Sequence, residues 1–149
     1  LSFTGEYRAK LNAKNQVVLP SSLRESIFAL ENPNPLILFC PRDKGFLELY
    51  PAKEWEVVQA KVDAKAQREK KPFLNRMLNA KASSLVLEPE GNGRILIPQT
   101  KVEYFRPDGE VVFIGNTKKI ELWSREEYQG FVDTHHSDFE SELGELFEF

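Results

Sequence analysis

Cysteine and histidine are scarce in this 149-residue chain, and long apolar runs are missing. A single cysteine, Cys40, can neither close an intrachain disulfide nor by itself build a thiolate zinc site. The two histidines, His135 and His136, are adjacent in an acidic stretch and lack the i, i+4 spacing of a helical metal site, so solvent-facing roles are expected for both. No metal or cofactor is implied. No apolar run reaches the roughly 18 residues of a membrane span, and no basic-then-apolar signal segment opens the sequence. The expectation is a soluble, cytoplasmic protein with no membrane partner. Catalysis is not expected either: no Gly-x-Ser-x-Gly elbow occurs, nothing sets a histidine beside Cys40, and that residue ends a predicted buried strand, where a structural thiol is the default.

Positive charge is also short, since 20 Lys+Arg face 23 Asp+Glu for a net of -3. A uniformly acidic protein would be a poor partner for phosphate. The charge is not uniform. Residues 1–80 hold 13 Lys+Arg against 9 Asp+Glu, whereas residues 81–149 hold 7 against 14, and 6 of those acids fall in residues 133–149, which have no Lys or Arg. The acidity belongs to a tail on a slightly basic body. With 41% hydrophobic and 29% charged residues, that body has the composition of one ordinary domain or two very small ones.

An internal repeat organises it. Val17-Val18-Leu19-Pro20 returns as Ile95-Leu96-Ile97-Pro98, an offset of 78, and at the same offset Ser22-Leu23-Arg24-Glu25 becomes Thr100-Lys101-Val102-Glu103. Both tetrads read as capping boxes that start a short helix after a strand. Leu36–Phe39 and Val111–Ile114 are short apolar runs with the composition of buried strands, each followed by a turn, Pro41-Arg42-Asp43-Lys44-Gly45 or Gly115-Asn116-Thr117-Lys118. The return strands, Leu47–Tyr50 and Ile120–Trp123, match at an offset of 73, giving two hairpins. A helix follows each: Pro51 suits a first-turn position, Ser124 and Glu127 form a capping box, and Trp55 and Tyr128 are equivalent aromatics. So small a unit can hardly bury its own core, and the two copies are expected to pack as a pseudo-twofold pair.

Between the copies, residues 53–71 read as a helix with Trp55, Val58 and Val62 on one face and Lys61, Lys65 and Arg68 on another. The basic face is read as solvated surface and kept as a secondary nucleic-acid candidate. Pro72 breaks this helix and opens another over 73–79, with Phe73 and Met77 spaced i, i+4. In the tail, Phe139, Leu143, Leu146 and Phe147 form one face of an amphipathic helix, docked on the body, frayed, or docked on a neighbouring subunit. The expected division is repeat 1 over 1–58, a helical connector over 59–80, repeat 2 over 81–132 and the acidic tail over 133–149.

The loops before the two apolar-Pro strands are Leu11-Asn12-Ala13-Lys14-Asn15-Gln16 and Pro89-Glu90-Gly91-Asn92-Gly93-Arg94. With Phe3-Thr4-Gly5-Glu6, Leu-Tyr-Pro-x-x-x-Trp ending at Trp55, and Gly-Arg-Ile-Leu-Ile-Pro ending at Pro98, the chain resembles the MraZ family of the wider SpoVT/AbrB-like group over nearly its whole length. That family's pattern is a tandem repeat of Leu-Asp-x-x-Gly-Arg followed by an apolar strand and Pro. The resemblance implies an α+β fold of two SpoVT/AbrB-like, swapped-hairpin-type β-rich repeats with flanking helices. It also implies a DNA-binding transcriptional regulator, a repressor of a bacterial division and cell-wall gene cluster, nucleoid-associated and acting as a ring-like homo-oligomer on direct-repeat boxes in double-stranded promoter DNA. The family's DNA-contacting Arg, and the Lys two before it, fall here on Gln16 and Lys14, and the second-copy Arg is kept as Arg94.

Asn12 and Glu90 replace the family's Asp, and Gln16 replaces Arg. Glu90 and Arg94 can still pair bidentately, while Asn12 and Gln16 can share neutral hydrogen bonds but offer no charge to phosphate. Two readings of Gln16 follow. It reads adenine where Arg would read guanine, or its loop has lost strong DNA binding and the chain works as a structural or protein-interaction ring. Arg8, Lys10 and Lys14 keep the stretch basic, which favours DNA; with Gln16 and Arg94 they are the candidate contact residues.

Overall fold

The computed structural model describes residues 2–42, 45–105 and 108–148. Asp43 and Lys44 of the expected first-hairpin turn, and Phe149 of the tail, lie outside them. The first copy runs β1 (Glu6–Lys10), β2 (Gln16–Val18), α1 (Ser21–Phe28), β3 (Leu36–Phe39), β4 (Phe46–Pro51) and α2 (Ala52–Arg68). After the connecting α3 (Phe73–Ala80), the second repeats that order as β5 (Ala82–Leu85), β6 (Arg94–Leu96), α4 (Gln99–Phe105), β7 (Glu110–Asn116), β8 (Lys119–Ser124) and α5 (Arg125–Phe147).

The copies exchange strands. An antiparallel six-stranded sheet has the order β1-β7-β8-β4-β3-β5, so each copy's first strand pairs with the other copy's hairpin, and β2 and β6 form a separate antiparallel ribbon. The registers mark a pseudo-twofold axis. Val17 faces Ile95 in the ribbon, and Glu48 faces Glu121 where β4 meets β8; both are pairs of residues equivalent in the repeat. Alternation along β4 and β8 sends Leu47, Leu49, Ile120 and Leu122 into one core with Val17 and Ile95 of the ribbon and with Leu19 and Ile97 just beyond it. Each such side chain is worth roughly 1.5–3 kcal/mol when fully buried. The opposite face of the sheet is covered at one end by Trp55 of α2, tilted against Phe39 and Tyr50, and at the other by Tyr128 and Phe131 of α5 against Trp123.

Two carboxylates directly opposite each other across strands repel. Here each is held by its own partners. Tyr50 Oη donates to Glu48 Oε1 at 3.1 Å and Lys119 Nζ pairs with Glu48 Oε2, while Trp123 Nε1 and Asn116 Nδ2 donate to Glu121 at 3.0 and 3.1 Å. Tyr50 and Trp123 are themselves repeat equivalents, so the two clamps obey the same pseudo-symmetry. Burial, reinforced by the Glu48 carboxylate, raises the Tyr50 hydroxyl above its ordinary range and keeps it a donor.

Three local expectations are corrected. The capping boxes at Ser22 and Thr100 do not form, because the helices begin earlier. Pro20, at φ -54° and ψ 141°, caps α1 with no side-chain cap bond, and its carbonyl takes the Arg24 N–H at 2.9 Å. Pro98 does the same for α4, accepting from Lys101 and Val102 at 2.9 and 3.1 Å. A proline's fixed φ carries the chain from strand to helix at once, leaving Ser22 and Thr100 inside the first turn. At α5 the Ser124 Oγ does accept from Glu127 N at 3.2 Å. Second, Gly115 and Asn116 belong to β7, and the turn narrows to Thr117 (φ 64°) and Lys118. Gly115 is needed in the strand because the Thr4 backbone crosses it, with Thr4 N where a Cβ would stand. Third, α2 ends at Arg68, where Lys70 turns left-handed at φ 55°.

Besides Glu48, one more charged side chain is buried among the described residues, and no local pattern announces its burial. Lys101 is 5% exposed and stands at the repeat position of Leu23, which is 2% exposed. Burial holds its ammonium below the usual lysine range, with Cys40 opposing that shift and the like charge of Lys81 adding to it. A lysine that gives up its proton more readily when folded penalises folding fully below its folded pKa, and the penalty fades as pH rises to the ordinary lysine range near ~10.4. Lys101→Leu is expected to stabilise the chain by on the order of 1 kcal/mol at neutral pH. In urea unfolding at a series of pH values, that gain should shrink as pH rises.

Candidate nucleic-acid interface

The β2–β6 ribbon has three residues per strand, and alternation divides them cleanly. Val17 and Ile95 point into the core; Gln16, Val18, Arg94 and Leu96 point out. In this register Gln16 stands opposite Leu96 and Val18 opposite Arg94. Gln16 and Arg94 are repeat equivalents, so the outward face carries an amide and a guanidinium at matching places about the pseudo-twofold axis. Between them lie two apolar side chains that are far from covered, Val18 at 42% and Leu96 at 57% exposed.

The loops feeding the ribbon are held at both ends. Asn15 (φ 60°) and Gly93 (φ 82°) are equivalent residues in the left-handed region, which Gly and Asn adopt at least cost. Their carbonyls continue the ladder across the copies, accepting from Ile97 N and Leu19 N, each at 2.8 Å. In the first loop Asn12 Oδ1 accepts from the backbone N–H groups of Lys14 and Gln16 at 2.9 Å each, and its Nδ2 donates to Gln16 Oε1 at 3.1 Å. The expected neutral pairing of Asn12 with Gln16 is therefore present, and it leaves Lys14 exposed on a tied backbone.

The second loop is built otherwise. Among the described residues no ion pair joins Glu90 to Arg94. Glu90 sits exposed in a turn that Gly91 closes by donating to the Glu88 carbonyl at 3.2 Å, and Asn92 Oδ1 accepts from Arg94 N at 3.0 Å instead. The Arg94 side chain is exposed.

Arg8 and Lys10 alternate outward with Glu6 on the edge strand β1. They share a shallow depression with Val18, Pro20 and Ser21, which brings them to the margin of the ribbon's outer face. Lys10 also faces Glu110, whose carboxylate takes Arg125 Nη1 at 2.6 Å, so an acid lies beside this part of the basic stretch. Three residues of the site were missed by reading the sequence. Gln99 Oε1 accepts from Asn15 Nδ2 at 2.7 Å, and the Arg24 guanidinium lies where a Cβ on Gly93 would stand. Asn15 was legible as the match of Gly93. Arg24 and Gln99 gave no signal, because their contacts span the two copies.

The comparisons with known proteins bear on this ribbon and its two loops. The chain is 32% identical over 133 residues to the transcriptional regulator MraZ of Marinomonas sp. (strain MWYL1), which covers 85% of this chain and 83% of the relative. The chain belongs to the MraZ family. The MraZ regulator of Pseudomonas savastanoi pv. phaseolicola is 33% identical over 132 residues (88% of this chain, 85% of the relative), and that of Marinobacter nauticus is 29% identical over 140 (93% and 92%). The family model described as "MraZ protein, putative antitoxin-like" matches residues 86–149, from just after β5 through α5. At the positions of the Leu-Asp-x-x-Gly-Arg pattern, the first loop has Asn12, Asn15 and Gln16 where the pattern has Asp, Gly and Arg.

Removing the Asn12 side chain should free two N–H groups at once. Asn12→Ala is expected to cost about 1 kcal/mol. Amide hydrogen exchange should speed up at Lys14 and Gln16 while the core strands stay protected.

Proposed function

We propose that this MraZ-family chain is a DNA-binding transcriptional regulator and not an enzyme: a nucleoid-associated repressor of a bacterial division and cell-wall gene cluster, acting as a ring-like homo-oligomer on direct-repeat boxes in promoter DNA. The observation that carries the reading is the outward ribbon face, where Gln16 and Arg94 stand at equivalent positions on anchored strands with Lys14 beside them. The relatives' shared name, transcriptional regulator MraZ, supports it. In this reading the two repeats, 1–58 and 81–132, supply the DNA-facing body, and the connector 59–80 and tail 133–149 serve assembly.

A two-stranded ribbon is narrow enough for the major groove. Lys14, Lys10 and Arg8 hold phosphates, Gln16 contacts base edges, and Arg94 contacts DNA or steadies its own loop. So few cations bind weakly in one subunit, because each neutralised phosphate adds only a modest, salt-dependent increment. Repeating the site around an oligomer raises the effective concentration for the second and third contacts, and boxes about one helical turn apart present successive grooves on one side of the duplex. Occupancy there occludes a promoter.

Fluorescence anisotropy against DNA from upstream of the gene, over a salt series, tests the assignment. Lys14→Ala should weaken binding to all sequences and reduce the salt slope by about 1. Gln16→Ala should instead change the preferred base, by roughly 1–3 kcal/mol at one position. Unchanged binding by Lys14→Ala sinks the phosphate assignment. Absence of any specific complex at low salt, with the oligomer intact by light scattering, sinks the DNA reading in favour of a protein-interaction ring.

A further inference from the structure

Helices α2 and α5 are repeat equivalents, each leaving the return strand of its hairpin, yet they are covered differently. Behind α2, α3 folds back along it: Asn79 accepts from Gln59 at 3.4 Å and Asn75 donates to Asp63 at 2.9 Å. This packing leaves Ala66 only 5% exposed. At the offset of 73 that relates the two hairpins, Val58, Val62 and Ala66 of α2 become Phe131, His135 and Phe139 of α5. Among the described residues no helix folds back along α5 as α3 does along α2. Phe139 is accordingly 59% exposed where its counterpart is buried, and Leu146 and Phe147 further along are 74% and 66% exposed. Helix α5 is 23 residues long, about 34 Å, and residues 133–142 are exposed throughout, so its distal half stands clear of the body.

The outer face of α3 is bare as well. Phe73 and Met77, one turn apart, are 52% and 53% exposed. Charge distinguishes the two bare faces. Residues 59–81 hold seven Lys or Arg against two acids, and among the described residues Lys61, Lys70 and Arg76 take part in no ion pair, while Glu69 is shared by Lys65, Arg68 and Lys71. Residues 133–148 hold six acids and no Lys or Arg. Pairing α5 with another α5 would set acid against acid. Setting it on the α2–α3 hairpin joins opposite charges and covers both apolar faces.

We infer that the distal half of α5 docks on the outer face of the α2–α3 hairpin of a second copy of this chain, so that the neighbour's α3 covers α5 as α3 covers α2 within one chain. The contact is head-to-tail: arm and hairpin are different surfaces, so each copy can donate one and accept another, and the series closes into a ring or runs on. The inference rests on the oligomeric reading above and names the surfaces that make the oligomer.

The test begins with the 149-residue chain, in an equal mixture of natural-abundance and 15N-labelled protein treated with a carbodiimide, which couples amines to carboxylates only in direct contact. Mixed-isotope peptides should join lysines of 61–81 to carboxylates of 138–148; coupling of the tail elsewhere, or only within one chain, overturns the docking. Phe139→Asp and Met77→Asp each change an exposed residue, and each should reduce the particle mass by light scattering to that of one chain, with the circular dichroism spectrum unchanged. Mixed together, the two variants should restore a two-chain species, since one keeps its hairpin and the other its arm. A wild-type chain that is monomeric sinks the ring reading and this one with it; variants that assemble to wild-type mass sink the docking alone.

Discussion

Neither repeat can finish its own sheet. The ladder of β1 is on β7 and that of β5 is on β3, so the edge strands of each copy exist as strands only when the other copy's hairpin is beside them. The ribbon is subject to the same constraint: β2 and β6 are three residues each and have no other ladder partner among the described residues. This exchange makes folding of the two repeats one event rather than two. It also couples the exposed ribbon face to the core, because Val17 and Ile95 are buried only by virtue of the pairing that turns Gln16 and Arg94 outward.

The central seam shows what that coupling demands. Placing the axis between β4 and β8 forces Glu48 against Glu121, a juxtaposition that a sheet without symmetry would avoid. Both carboxylates are instead made into acceptors for an aromatic donor two residues further along the same strand, Tyr50 or Trp123. The ammonium of Lys119, at the seam, goes to Glu48, the more buried of the two. An unfavourable pair imposed by the repeat is thus converted into two local clamps that fix the register.

Much of this architecture was legible in the sequence. The apolar-Pro units, the hairpins and the connector helix that Pro72 opens all follow from spacing, and the Asn12–Gln16 bond follows from residue chemistry at two positions. What was illegible depends on contacts between copies. Nothing local says that β1 belongs to β7, that Gln99 steadies Asn15, or that Lys101 stays buried in the place its repeat partner Leu23 fills. The capping boxes failed for a different reason. The motif at Ser22 is genuine in pattern, but Pro20 two residues earlier already fixes the helix start, and a backbone constraint takes precedence over a side-chain option. Helix α5 was readable as helical at each end; its continuity through Gly130 and Gly144 was not, since each glycine taken alone argues for a break.

The two halves of the ribbon face have one backbone and two chemistries. A pair of separate identical subunits would present the same side chain on either side of the axis, and a ligand could lie across it in either direction with equal energy. Here one side offers an amide tied to its own loop and the other a free guanidinium. Any elongated ligand laid across the axis therefore has a preferred direction. Joining the repeats in one chain has given a nearly symmetric platform a polarity, and successive copies arranged around a ring would all point the same way.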